Sequence, residues 1–155
     1  MRGVRYLAPA VLAGALLASP AFAADIHGVW LTESKAAHVE IYKCPDATNG
    51  PVCGRIVRLL DPKGADGKPV KPEDAVDHRN PDANLRTRKV LQMVFLYGFK
   101  PTATAGSFEE GAIYSAEDGK IYRANLSLQA DGTLRLRGYV GAPILGKTQI
   151  WTRVK

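Results

Sequence analysis

Between Ile121 and Gln129 the side chains alternate in character. Tyr122, Ala124, Leu126 and Leu128 are aromatic or aliphatic, and Arg123, Asn125, Ser127 and Gln129 between them are polar. A period of two places successive side chains on opposite faces, so this segment is predicted to be a strand with one buried face. After Asp131-Gly132 the pattern resumes, with Leu134, Leu136 and Gly138 alternating with Arg135, Arg137 and Tyr139. Asp and Gly tolerate the positive φ of tight hairpin turns, so the two runs are predicted to fold back on each other. Asp118-Gly119 offers the same turn one strand earlier.

The same reading along the chain predicts eight strands, at 28–32, 38–43, 52–60, 90–99, 108–115, 120–129, 133–140 and 147–154. Nearly all connections are short, so sequence neighbours should pair antiparallel. An open meander leaves two unpaired edges, and closing the sheet removes them. The expected fold is therefore all-β, a single eight-stranded antiparallel up-and-down barrel. An immunoglobulin-type sandwich is the rival and would need a long crossing connection. Eight strands enclose a space that side chains fill or that holds one small ligand. Trp30, Tyr122, Leu126, Leu136 and Trp151 are expected to fill its lower part.

One long connection, 61–85, interrupts the meander. It holds Pro62, Gly64, Gly67, Pro69, Pro72 and Pro81 among ten charged residues. Loops of this length in compact domains are usually lids, binding loops or simply mobile segments. Asn80-Pro81-Asp82 reads as a helix start, with Asn80 as cap and Pro81 first in the turn, so a short helical turn is expected around 81–86. The polar groups of the loop and its exit are the candidate ligand-binding residues: Asp77, Asn80, Arg86 and Arg88, converging at a barrel mouth with Tyr114 and Tyr122. Arginines there can grip a carboxylate or phosphate bidentately, and tyrosines offer amphipathic walls. A cavity, if present, would lie between Tyr114, Tyr122 and the loop. The competing reading is that Asn80 and Asp82 cap a turn while the arginines brace the loop.

The first 23 residues read as an address label. Arg2 and Arg5 precede an apolar run from Tyr6 to Ala18, and Ala21-Phe22-Ala23 is a small-x-small cleavage site. The run is shorter than the roughly 20 residues a membrane-spanning helix needs. Residues 1–23 are thus a predicted signal peptide and 24–155 one domain, periplasmic or secreted. No second long apolar stretch follows, so no membrane insertion is expected. Removing Arg2 and Arg5 leaves 19 of the 21 basic residues against 15 acidic ones, a formal charge of +4. The charges are scattered and form no basic stripe with interleaved aromatics, which argues against nucleic acid as a partner. In an oxidising compartment Cys44 and Cys53, flanking a turn-rich loop, are read as a disulfide. His27, His38 and His78 lack metal-ligand spacing, and no nucleophile elbow, phosphate loop or dinucleotide fingerprint occurs. No catalytic residue, metal or cofactor is assigned.

Gly28-x-Trp30 opens the first predicted strand, and Trp151-Thr-Arg153 ends the last. These strands are neighbours in a closed barrel, where glycine permits close approach and a guanidinium can stack on an indole. The arrangement resembles the structural signature of lipocalins and related barrels, and Gly28, Trp30, Trp151 and Arg153 are taken as structural residues. A wider resemblance carries further. Gly28-Val-Trp30, Cys44 and Cys53-Gly54, Asp77-His-Arg-Asn80-Pro81-Asp82 and Leu85-Arg86-Thr-Arg88 match a bacterial family, domain of unknown function 2147. So do Gly111-Ala-Ile-Tyr114, Gly119-Lys120-Ile-Tyr122, Gly138-Tyr139-Val-Gly141, Gly146 and Trp151-Thr-Arg153. Three positions depart from it. Ser115-Ala116 stand where the family often has Asp-Pro, Gln92 where a glycine is usual, and Phe108 where tryptophan is frequent. The resemblance implies an exported lipocalin-like barrel and no reaction.

Two functions fit this reading. One is a barrel that binds a small, partly apolar molecule at its mouth. The other is an envelope interaction protein with a packed interior, gripping a protein or cell-wall partner through its long loop or outer face. Tyr139, Arg135 and Arg137 are expected on the outer wall, solvated.

Overall fold

The computed structural model describes residues 25–155; the predicted leader lies outside the described residues. The strands are β1 (Gly28–Leu31), β2 (Ala37–Lys43), β3 (Val52–Leu59), β4 (Val94–Tyr97), β5 (Lys100–Pro101), β6 (Ser107–Ser115), β7 (Lys120–Leu128), β8 (Leu134–Tyr139) and β9 (Lys147–Arg153). All neighbours pair antiparallel. β1 pairs with β9, and β4 pairs with β6, so eight strands close into a ring. β5 is a two-residue extension on the edge of β6. Among the described residues only single 3-10 turns break the all-β pattern, at Ala47–Asn49, Pro72–Asp74, Ala83–Leu85 and Pro143–Leu145.

Alternation decides what lies inside. Ala37, Val39 and Ile41 of β2, Ala124 and Leu126 of β7, and Leu134 and Leu136 of β8 are all buried. A register shift sets Val94 and Leu96 against the adjacent Arg55 and Gly54, so the bulged Phe95 and Leu96 are both buried. Trp30 and Trp151 are fully enclosed near the end where β1 starts and β9 finishes, and Phe95 stacks beside Trp151 with ring centroids 6.5 Å apart. Gly111 must be glycine, because a Cβ there would sit 2.3 Å from the Phe99 ring. This end is the packed floor. Cys44 and Cys53 are joined in a disulfide across the β2–β3 connection at the same end.

Up-and-down order sends the connections 32–36, 60–93, 116–119 and 140–146 to the opposite end, the mouth. The chain departs from the expected pattern in four places. The predicted strand 90–99 shrinks to Val94–Tyr97, because Gln92 adopts a left-handed φ of 68° in a turn and Gly98, at φ 76°, ends the run. The expected helical turn at 81–86 is a 3-10 turn over Ala83–Leu85, and its cap is Asp82, whose carboxylate accepts from the Asn84 N–H. Asn80 instead accepts from the Asp82 N–H one step earlier. Tyr122 shares the inward face of β7 but stands at the mouth, half-exposed and bonded to Asp118, so it does not fill the lower barrel. Tyr139 points outward yet is buried, with the backbone of Gly146 close against its Cβ and its Oη 3.4 Å from Asn125 Oδ1.

Candidate functional site

The long connection is tied to the barrel at its two ends, Leu60 N–H donating to Ala36 O and Gln92 N–H to Ile56 O, and is folded on itself between them. Lys63 and Pro69 pair as an isolated bridge near its start. Farther on, Val76 bridges Lys89, Val90 N–H donates to Ala75 O, and Asp77 N–H donates to Arg88 O. This narrow pinch carries Asp77 inward until it is fully enclosed. Four of the six predicted residues meet there. Tyr114 Oη donates to Asp77 Oδ1 at 2.6 Å; Asn80 Nδ2 and Arg88 Nη2 donate to Asp77 Oδ2 at 2.8 and 2.6 Å. Asn80 Nδ2 also lies 3.0 Å from the Tyr114 oxygen, and Arg88 Cζ stands 5.5 Å from the Tyr114 ring centroid. Arg86 joins at one remove, donating to Asn80 O at 2.9 Å.

Burial disfavours an ionised Asp77, but the hydrogen bonds from Tyr114, Asn80 and Arg88, with the charge of Arg88, outweigh it. The carboxyl is held below its ordinary range. Burial, the hydrogen bond to Asp77 and its negative charge push the Tyr114 phenol up to about 12, so it remains a donor across physiological pH. Both Asp77 oxygens are thus taken by donors of the chain itself. The network matches the bracing reading of these residues. Tyr122 is outside it: its register partner is Ile113, whereas Tyr114 pairs with Ile121 on the outer face.

Two hollows flank the pinch. The outer one, about 210 Å3, is lined by Asn80, Leu85, Arg88, Val94, Tyr114 and Ile121, among others. Arg88 Nε is buried beside it without a partner, alone in this among the buried side-chain atoms of the described residues. The second hollow lies at the mouth and measures about 430 Å3. Its lining combines the apolar Ala36, Leu59, Ala75, Val76, Val90 and Ala116 with the polar Asp61, Lys63, His78, Arg79 and Glu117. Three mouth-side connections contribute, so the long loop roofs the barrel here. Gly119 fixes that roof, since its φ is 70° and a Cβ would lie 2.0 Å from Arg79 O. Ligand pockets typically occupy about 300–1,000 Å3 and combine apolar walls with a few polar groups. The mouth cavity has that size and composition.

The lining of the mouth cavity was not singled out by sequence. A signal existed: Ala75-Val76 and Val90 are apolar breaks in a polar stretch. Leu59 is aimed inward only through the register shift between His38 and Val39. Among the described residues, no group of three or more His, Cys, Asp and Glu has a metal-binding arrangement. No helix of the described residues is long and apolar enough to cross a membrane.

The family model described as "Uncharacterized protein conserved in bacteria (DUF2147)" matches residues 28–153. A solved protein from the human pathogen Helicobacter pylori, HP1028, described as belonging to the lipocalin family, is similar over 84% of this chain and 84% of its own. The TM-score is 0.66 and the identity 24%, a likeness of fold. No curated protein matches the sequence. A disulfide in a chain of a bacterial family points to export, because thiols stay reduced in the cytosol.

Proposed function

The chain belongs to the uncharacterised bacterial family DUF2147 and has a lipocalin-like barrel, and we propose that it binds a small, partly apolar ligand in the mouth cavity. The observation that carries this reading is the roughly 430 Å3 space beneath the loop, walled by Leu59, Val76, Val90 and Ala116 above a packed floor. An aliphatic or ring-bearing body would lie against those walls, and a polar head would meet Lys63, His78, Arg79 and Glu117. The Asp77 network supports the reading indirectly: it holds the roof in one place, so the cavity is formed before the ligand arrives and little ordering entropy opposes binding. In this reading the mature protein is a single domain that begins near Ala24, after leader cleavage, and works in the periplasm or outside the cell.

The packed-barrel alternative rests on the solid lower interior, where Trp30, Trp151, Leu126 and Leu136 are enclosed. It leaves the mouth cavity without a role. Mass spectrometry of the protein purified under non-denaturing conditions from its native host separates the two. A stoichiometric small molecule released on unfolding is the expected result. A protein that carries nothing and binds no apolar probe would favour the interaction reading instead.

A further inference from the structure

We propose that the mouth end of the barrel docks on an anionic lipid surface through the turn between β8 and β9. Soluble proteins keep contiguous apolar patches small, and an exposed one usually marks a contact. Val140, Ile144 and Leu145 are 69%, 83% and 78% exposed within six residues of chain. Ile121, near the mouth end of the neighbouring strand β7, is exposed as well.

The turn is held, not loose. Arg137 donates through Nε to Pro143 O at 2.6 Å, through Nη2 to Ile144 O at 3.0 Å and through Nη1 to Thr148 Oγ1 at 2.7 Å. Leu145 N–H donates to Ala142 O, and Gly146 N–H to Pro143 O. Gly146 lies so close to β8 that a Cβ would sit 2.5 Å from Gly138 O. The carbonyls of Ala142, Pro143 and Ile144 are therefore satisfied from within. That matters in an apolar medium, where an unpaired backbone group costs several kcal/mol.

Charge selects the partner. Along the two strands that carry the turn, Arg135, Arg137 and Lys147 lie on its side of the barrel with no acidic residue between Gly132 and Lys147, while Arg153 and Lys155 belong to the floor end. None of Arg135, Arg137 and Lys147 is in an ion pair among the described residues. Glu33 reaches this wall, accepting from the Ile150 N–H, and offsets one of these charges. Protein hot spots favour Trp, Tyr and Arg seated in pockets. An exposed aliphatic turn with the charges of Arg137 and Lys147 beside it fits a bilayer better, with apolar chains beneath anionic headgroups. Docked this way, the cavity opening would face the lipid. The proposal stands on the turn and its charges, whether or not the cavity is filled.

The test is co-sedimentation with vesicles of phosphatidylethanolamine and phosphatidylglycerol, against vesicles of phosphatidylcholine alone. Binding to the anionic vesicles should weaken as salt rises, and Ile144→Ser with Leu145→Ser should weaken it by roughly tenfold or more. Lys147→Glu should weaken it too. Both variants should melt with the parent, since the altered side chains are exposed, and any leader is common to all chains compared. Equal vesicle binding by parent and Ile144→Ser/Leu145→Ser overturns the proposal. So does sedimentation velocity showing a dimer that these substitutions dissolve while vesicles capture nothing, which would make a second copy the occupant.

Discussion

The guanidinium of Arg153 lies over the indole of Trp30, with Cζ 4.2 Å from the ring centroid. Its Nη1 donates to His27 O at 2.8 Å and its Nη2 to Asp25 O at 2.7 Å. One side chain from the last strand thus closes the floor and ties down the segment before the first. Gly28 makes room for it: its φ is 132°, and a Cβ there would lie 2.6 Å from Arg153 Nη1. Replacing Arg153 by Ala removes the stacking and two charge-assisted hydrogen bonds, about 1–3 kcal/mol in sum. Thermal unfolding should fall by several degrees for Arg153→Ala and stay level for Lys155→Ala. Equal melting temperatures would remove the clasp.

Gln92 occupies a left-handed turn that suits glycine. Its φ is 68°, and its N–H donates to Ile56 O at 2.7 Å. A non-glycine residue held there costs on the order of 1 kcal/mol. Gln92→Gly should relieve that cost, less the entropy a glycine adds to the unfolded chain, for a net gain of a few tenths of a kcal/mol or more. Urea unfolding at matched m-value reads the difference. A loss of stability would show that the Gln92 side chain matters more than its backbone.

Asp77 makes stability depend on pH in a stated direction. Its folded-state pKa lies below the ordinary value of 3.8, so its contribution is complete above that value and is lost as pH falls through the folded pKa. Asp77→Asn strands part of the Arg88 charge and should cost about 2–3 kcal/mol at neutral pH. The gap between variant and parent should narrow below about pH 4. Tyr114, raised to about 12, has the opposite sense: its contribution is complete below its ordinary 10.0 and falls between there and about 12. Denaturant midpoints at neutral and acid pH for Asp77→Asn, and at neutral and alkaline pH for Tyr114→Phe, check both signs.

Much of the barrel was legible because its information is local. The alternation in β7 and β8 and the Asp131-Gly132 turn between them state their pairing outright. The Gly28, Trp30 and Arg153 signals meet because ring closure makes first and last strands neighbours. What alternation could not convey is long-range. Nothing at Gln92 announces a positive φ except the glycine expected there by family resemblance, so the strand around it was drawn too long. Asp77, Asn80, Arg88 and Tyr114 do meet, on the outer face, where their hydrogen bonds brace the loop. Tyr122, expected at the same mouth, stands apart from them. The register of β6 and β7 turns it to the other side of the sheet. The mouth cavity depends on where the loop lands, and a polar loop carries no period to reveal that.

The central claim, a ligand in the mouth cavity, is tested most directly by titrating an apolar fluorescent probe into the parent and into Ala116→Phe. Ala116 is half-buried on the cavity wall, and a phenyl ring there takes up the space a ligand would use. The parent should bind the probe saturably. Ala116→Phe should bind it at least about tenfold more weakly while melting within a few degrees of the parent. Equal binding by both chains, or none by the parent after any resident molecule is stripped away, would contradict the claim.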